Sequence, residues 1–565
     1  MRLPRIMIAA TGSGCGKTTV TLGLLRALVD RGRRPLACKT GPDYLDPLLH
    51  TALLGVPSEN LDGFFSDDAG LVRTMVRAAR AEACDGAVIE SAMGYYDGIA
   101  CSSEASAYQV ARATATPVLL LVDGRNRGRS LAAEVMGFAR YRADSGIAGV
   151  VFNRVRGAYY DRLAREVERE CGVRVFGCVP NLPDCAIESR YLGLVSPDEV
   201  DDLSARTERI ARALEDAVDV SALMDLAATA PVLDGPAAAV SDAGRAAAAA
   251  DADERVIVRE GACDAHGAPA ESQGEGTAVA GAESVGDSAA AAADASAPVV
   301  AVARDQAFSF YYADTFRALR ERGCVVRFFS PLSDDALPAG TCGLYLGGGY
   351  PERWARELSE NATMRTAIAR AISAGLPTIA ECGGFLYLHR TLADADGTAY
   401  PQVGVIDADA RHGGRSRRFG YVTLTSRTDS LLAARGATLR AHEFHYWESS
   451  DPGNAFAARK PQSDVAWEAC HAMPTLYAGF PHLHLGTEPA ALGRFVAACR
   501  AYAEQAKAKD GDANGRGASR AGADAVAGAA VHGARHVPGR AASAASAGAD
   551  AHACGHASAN GGERA

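Results

Sequence analysis

Two short runs in this chain have the residue types that bond-making chemistry needs. In Ala380-Glu381-Cys382-Gly383-Gly384 a thiol precedes two glycines, and in Thr11-Gly12-Ser13-Gly14-Cys15-Gly16-Lys17-Thr18-Thr19 a glycine-rich turn ends on a lysine and hydroxyls. A cysteine attacks an amide only if its sulfur is accessible and a base takes its proton. A sharp strand-to-helix turn supplies the access, and Gly383 and Gly384 permit it. The base is sought in Phe480-Pro481-His482-Leu483-His484-Leu485, where period-two spacing sets both imidazoles on one face of an extended segment. His482 is the favoured partner of Cys382, with His484 as an orienting group. The alternative is a zinc pair or a surface pair, although no third ligand stands nearby. In Leu346-Gly347-Gly348-Gly349-Tyr350 the backbone N–H groups of Gly348 and Gly349 are candidates for an oxyanion hole.

The glycine-rich turn predicts a nucleotide cradle. Gly12, Ser13, Gly14, Cys15 and Gly16 offer backbone N–H groups to phosphates, Lys17 reaches the outer ones, the Thr18 hydroxyl ligates magnesium, and Thr19 follows in the first helical turn. Thr11 occupies the first glycine position of the usual pattern, so this is a variant phosphate loop. Glu90, closing the apolar run Gly86-Ala87-Val88-Ile89, is the expected second magnesium contact.

The elements that must position these groups are legible as buried strands with polar residues at their C-terminal ends. Ile6 to Ala10 leads into the phosphate loop, Pro117 to Val122 ends at Asp123, and Gly149 to Phe152 ends at Asn153. That pattern predicts the ligand-binding edge of an open parallel sheet. Thr378-Ile379-Ala380 reads as the strand before the thiol, and Phe385 to Arg390 as a helix whose N-terminal dipole would stabilise a thiolate.

Further motifs carry a resemblance. Lys39-Thr40-Gly41-Pro42-Asp43-Tyr44-Leu45-Asp46-Pro47, Met93-Gly94-Tyr95-Tyr96-Asp97-Gly98, Ala307 to Tyr312, Phe329 to Leu332, Gly347 to Glu352, Glu381 to Leu388 and His442-Glu443-Phe444-His445-Tyr446 stand in one order through both halves. In these the chain resembles the cobyrinate a,c-diamide synthase family, which includes hydrogenobyrinate synthases. The resemblance implies an α/β fold: a dethiobiotin-synthetase-like P-loop NTPase domain with a parallel sheet, then a class I glutamine amidotransferase-like, flavodoxin-like domain. It implies ATP and L-glutamine as co-substrates, Mg2+, and a corrinoid or other tetrapyrrole whose a and c acetates are amidated. Cys382 would be the glutamine nucleophile, His482 would raise its reactivity, and His484 stands where most class I amidotransferases carry a glutamate. Lys39, Asp43, Tyr44 and Asp46 would face the substrate or the phosphates, and Asn153 would read the adenine edge. Departures from the family pattern are Ser91, Tyr191, Ala441 and Trp447. Nickel-sirohydrochlorin a,c-diamide synthases share nearly all these motifs, and cobyric acid synthase shares fewer. Outside the ligase class, a partitioning-type P-loop ATPase switch would have lysine at Gly12 and no amidotransferase half, and an inactive amidotransferase-like binding module would lack Cys382 or His482.

Composition sets the remaining expectations. The 565 residues divide into a synthetase domain (1–232), a low-complexity flexible insert rich in Ala, Gly, Asp, Glu and Ser (233–297), an amidotransferase domain (298–506) and a disordered Ala/Gly-rich tail (507–565). The tail histidines, His532, His536, His552 and His556, are irregularly spaced and read as solvated residues. A formal net charge of -10 with no basic run argues against nucleic acid. No apolar stretch approaches a membrane span and no cleavable leader precedes the first strand, so a cytoplasmic enzyme without a membrane partner is expected. The fourteen cysteines then read as reduced thiols. A homodimer is compatible with all of these features.

Overall fold

The Glu90 and Asn153 strand ends lie on one edge of a seven-stranded sheet. Its strands run, in spatial order, Ser58–Leu61, Pro35–Thr40, Gly86–Glu90, Arg5–Ala10, Val118–Asp123, Ile147–Asn153 and Arg174–Val179, and every pairing is parallel. These strands are near-continuous apolar runs because helices such as Lys17–Asp30, Asp68–Ala81 and Gly157–Cys171 connect them and bury them. The structure, a computed structural model, describes residues 1–155, 157–185, 197–233, 297–414 and 418–524. The insert between 234 and 296, the 190–194 stretch and the tail from 525 onward lie outside the described residues. Leu233 is buried, and its carbonyl accepts from the Met1 amino group at 2.7 Å.

The second half builds a six-stranded sheet in the order Val325–Phe329, Val299–Ala303, Thr341–Leu346, Thr378–Glu381, Leu476–Gly479 and His471–Met473. Only the last pairing is antiparallel. A five-stranded sheet beside it carries Gly420–Ser426, Thr438–Glu443 and His482–Leu483, with His442 and His482 as cross-strand partners. The chain is therefore α/β, a fully parallel seven-stranded sheet followed by a mostly parallel, flavodoxin-like six-stranded one.

Contacts divide the chain into two units, Met1–Ala506 and Lys507–Ala565, so both sheets belong to the first. Within it the halves are clamped together. Tyr421 Oη donates to Asp62 at 2.8 Å, Arg440 to the Phe64 carbonyl at 2.6 Å and Gln462 to Glu104 at 2.9 Å. Arg77 pairs with the buried Asp314. Residues 507–524, expected in a disordered tail, are helical. Among the described residues no helix is long and apolar enough to cross a membrane.

Candidate functional site

At the edge of the first sheet, helix Lys17–Asp30 starts directly after Gly16, whose φ of 95° is left-handed. A side chain there would meet Asn153 Nδ2 at 2.5 Å, so conformation and close approach both require glycine. Asn153 is buried and donates from Nδ2 to Cys15 O at 2.8 Å. Strand Ile147–Asn153 therefore ends against the phosphate loop, which places the Asn153 amide beside it. Lys17 Nζ donates to Gly12 O at 3.0 Å and Met93 O at 2.7 Å.

Thr18 Oγ1 donates to Glu90 Oε1 at 2.8 Å, so the two expected magnesium contacts adjoin. Lys39 and Glu90 are register partners on neighbouring strands, and Lys39 Nζ reaches Glu90 Oε1 at 2.7 Å while also binding Asp46. All three are buried. One ammonium cannot neutralise two buried carboxylates. Burial, reinforced by Glu90, pushes the Asp46 carboxyl well above its usual range. Burial would also raise Glu90, but Lys39 and His50 hold it well below the carboxylate range. The shared ammonium thus leaves the two carboxyls shifted in opposite directions, Glu90 down and Asp46 up. Lys39 and Asp46, expected to face substrate, belong instead to this buried cluster. Asp43 caps the following turn, Oδ1 accepting from Leu45 N at 2.8 Å.

Strand Thr378–Glu381 delivers the thiol. Cys382 has φ 47° and ψ -99°, a strained turn costing on the order of 1–3 kcal/mol. Neighbouring backbone fixes it: Cys382 N donates to Gly479 O at 2.8 Å, Gly384 N to Gly347 O at 2.8 Å and Leu386 N to Cys382 O at 2.9 Å. A side chain on Gly384 would approach Leu346 O to 2.1 Å. The expected helix through Arg390 is only Gly383–Tyr387, since two glycines open it and the chain re-enters a sheet at His389–Ala393, paired with Ile406–His412. Five residues carry too little aligned dipole to stabilise a thiolate.

Cys382 is buried, 7 % exposed as a residue, and its sulfur contacts the Phe444 carbonyl at 3.8 Å. Burial, then the charges of Glu352 and Glu443, push the thiol well above its usual range. Burial, with His442 and His445 nearby, lowers His482 to about 3, so the imidazole is neutral. Both groups rest uncharged. Alkylation of Cys382 in glutamine-free enzyme, followed on its own peptide, should accelerate continuously from about pH 7 to about pH 10 because thiolate is scarce below the raised pKa. A rate already level near pH 7 would contradict this.

The expected oxyanion glycines border this elbow. Gly348 and Gly349 pair with Phe310 and Phe308, a Cβ on Gly348 would lie 2.4 Å from His482 Cε1, and one on Gly383 would lie 2.9 Å from Gly349 N. His482 Nδ1 faces Glu381 Oε2 at 4.0 Å, and Glu381 is fixed by Leu483 N at 3.1 Å and Tyr345 Oη at 3.0 Å. Burial raises Glu381 to about 8.

His484 does not orient His482. The strand ends at Leu483 and His484 takes φ -87° and ψ 76°, so the period-two spacing stops there. Its ring stacks on Tyr312 at 4.3 Å, meets Phe65 edge-on and lies 3.8 Å from Asp314. Among the described residues no cluster of three or more His, Cys, Asp or Glu side chains could hold a metal, which removes the zinc pair. Tyr44 reaches across from the Lys39 loop, its ring 5.2 Å from His482, 4.6 Å from Tyr312 and stacked on Phe310 at 5.3 Å.

A family model described as a CobQ/CobB/MinD/ParA nucleotide binding domain matches residues 6–191, and one described as a CobB/CobQ-like glutamine amidotransferase domain matches residues 299–489. The chain is 36% identical over 504 residues to the cobyrinate a,c-diamide synthase of Salmonella typhimurium, covering 87% of this chain and 98% of that protein. It is 32% identical over 500 residues to the Caldanaerobacter subterraneus subsp. tengcongensis enzyme of that name, covering 88% and 98%. It is 37% identical over 510 residues to the hydrogenobyrinate a,c-diamide synthase of Streptomyces coelicolor, again covering 88% and 98%. The chain belongs to the cobyrinate/hydrogenobyrinate a,c-diamide synthase family. A partitioning-type ATPase switch is excluded with that, because the amidotransferase domain occupies the second half. In this a,c-diamide synthase family member, Glu381 and the aromatic bridge through Tyr44 are absent from the sequence-derived roles. The signal for Glu381 is its place directly before the thiol. Tyr44 was legible as a residue but not as a neighbour of a histidine more than four hundred positions away.

Proposed function

We propose that the chain uses ATP and glutamine to amidate the a and c acetate carboxylates of a corrin macrocycle, cobyrinate or hydrogenobyrinate. The observation that carries this reading is the Tyr44 ring against His482, which brings the loop of the Lys39–Asp46–Glu90 cluster to the histidine expected to serve the thiol, within one compact unit. A carboxylate of the macrocycle attacks the terminal phosphorus of ATP, ADP departs, and an acyl phosphate forms. Lys17 exchanges its carbonyl partners for phosphoryl oxygens. Separately, Cys382 Sγ attacks the glutamine amide carbon as its proton passes to His482, and the Gly348 and Gly349 N–H groups face the resulting oxyanion. Ammonia leaves with that proton, water hydrolyses the thioester, and ammonia displaces phosphate from the acyl phosphate.

Magnesium fits the cluster: buried Glu90 Oε2 has no hydrogen bond within normal range and only His50 Nε2 near it, at 3.7 Å, and its other oxygen meets the Thr18 hydroxyl. A hard cation that retains several waters needs few protein oxygens. Bound at Thr18 and Glu90, it would offset charge on the phosphoryl oxygens. ATP and glutamine as substrates make the cytoplasm the natural compartment.

The Tyr44 ring packs between the Lys39 loop and His482, within the aromatic cluster of Phe64, Phe65, Tyr312 and Tyr421. Replacing it by alanine should raise glutamine consumed per amide formed several-fold while glutamine hydrolysis continues. Parallel assays of glutamate and amidated macrocycle check this, and an unchanged ratio would detach Tyr44 from nitrogen transfer.

A further inference from the structure

Beside the phosphate loop lies a groove of about 710 Å³. One wall is a single face of helix Ser130–Tyr141, bearing Glu134, Gly137, Phe138 and Tyr141 at helical spacing, and the other is the loop holding Met93 and Tyr96. The Tyr96 ring lies 5.0 Å from Tyr141 and 5.7 Å from Phe138, while Met93 and Tyr141 stay 58% and 64% exposed. Large exposed apolar side chains around a concavity mark a binding surface.

We infer that this groove holds the macrocycle, a flat conjugated ring edged with carboxylates, with its face on the Tyr96–Tyr141 aromatic wall. The inference rests on the function proposed above. Three observations select that occupant. The groove adjoins the phosphate loop through Met93, whose carbonyl accepts from Lys17 Nζ at 2.7 Å, so an acetate at that end would approach a nucleotide held there. Arg142 sits over the Tyr141 ring, 4.9 Å from its centroid, a cation at the rim that suits a polycarboxylate. The acidic side chains are already engaged: Glu134 pairs with Arg127, and Asp97 accepts from Gly94 N at 2.9 Å.

Gly137 points the same way. An interior helical glycine is destabilising relative to alanine, yet a side chain added at Gly137 would meet nothing within 4 Å. It opens onto the groove without any packing reason inside the protein. A planar ligand pressed against the helix backbone supplies one.

The test follows from that open space. Gly137→Trp should fold, because nothing obstructs the new ring, and should raise KM for cobyrinate and for hydrogenobyrinate at least about tenfold, with KM for ATP and for glutamine within about twofold of the unmodified enzyme. Tyr141→Ala should raise the macrocycle KM in the same selective way, and Gly137→Ala should melt at or above the temperature of the unmodified enzyme. A folded Gly137→Trp variant with an unchanged macrocycle KM overturns the assignment. So does one that changes only the oligomeric state, which would give the groove to a second copy of the chain. If the unmodified enzyme amidates neither macrocycle, the function itself fails and the groove's occupant falls with it.

Discussion

Cys382→Ala should lower glutamine-dependent amidation by at least about 10⁴-fold, because no other group near the elbow can form the thioester. The same variant should use free ammonia at a rate within about threefold of the unmodified enzyme, since the phosphate loop and Glu90 lie on a different sheet. Folding should survive. The strain at φ 47° comes from the backbone bonds to Gly479 and Leu386, which alanine keeps, and the contact of the sulfur with the Phe444 carbonyl, at 3.8 Å, is weak. Equal loss with both nitrogen sources, in a protein with an unchanged melting temperature, would mean that the thiol does more than release ammonia.

Lys17→Met is the complementary change. It removes the charge that meets the phosphates and should depress amidation by about 10³-fold or more whether ammonia or glutamine supplies the nitrogen. The Lys39–Asp46–Glu90 hydrogen bonds do not involve Lys17, so an unchanged melting temperature should accompany this loss. By contrast, removing Lys39 would strand two buried carboxylates, a change that typically costs about 3–5 kcal/mol. A steady-state comparison of both nitrogen sources checks the Lys17 prediction. Retained ammonia-dependent activity would contradict it.

The sheet strands were legible because a parallel sheet covered on both faces demands continuous apolar runs, and Gly86–Glu90 is read residue for residue. The two glycines after Cys382 identify the elbow for a similarly local reason, since only a turn without side chains fits against Leu346. What the residues alone do not show depends on neighbours distant in the chain. Asn153 has the right residue type at the right strand end, and its contact with Cys15 O is set by the phosphate loop. Lys39 and Asp46 resembled substrate contacts until sheet register set them against Glu90. His484 lost its expected role where the strand ended one residue earlier. The groove left no sequence mark except Gly137, whose open side becomes apparent only when the helix and the Met93 loop are seen together.

The central claim is that the amide nitrogen of glutamine, freed at Cys382, ends on the macrocycle through ATP-driven coupling in the same molecule. Purified protein with ATP, magnesium and glutamine carrying an isotopically labelled amide nitrogen, offered cobyrinate, hydrogenobyrinate and nickel-sirohydrochlorin in turn, tests it directly. The predicted result is two successive replacements of carboxyl hydroxyl by labelled amide on a corrin, seen by mass spectrometry and dependent on ATP. Labelled ammonia accumulating in solution with every macrocycle unchanged would contradict it.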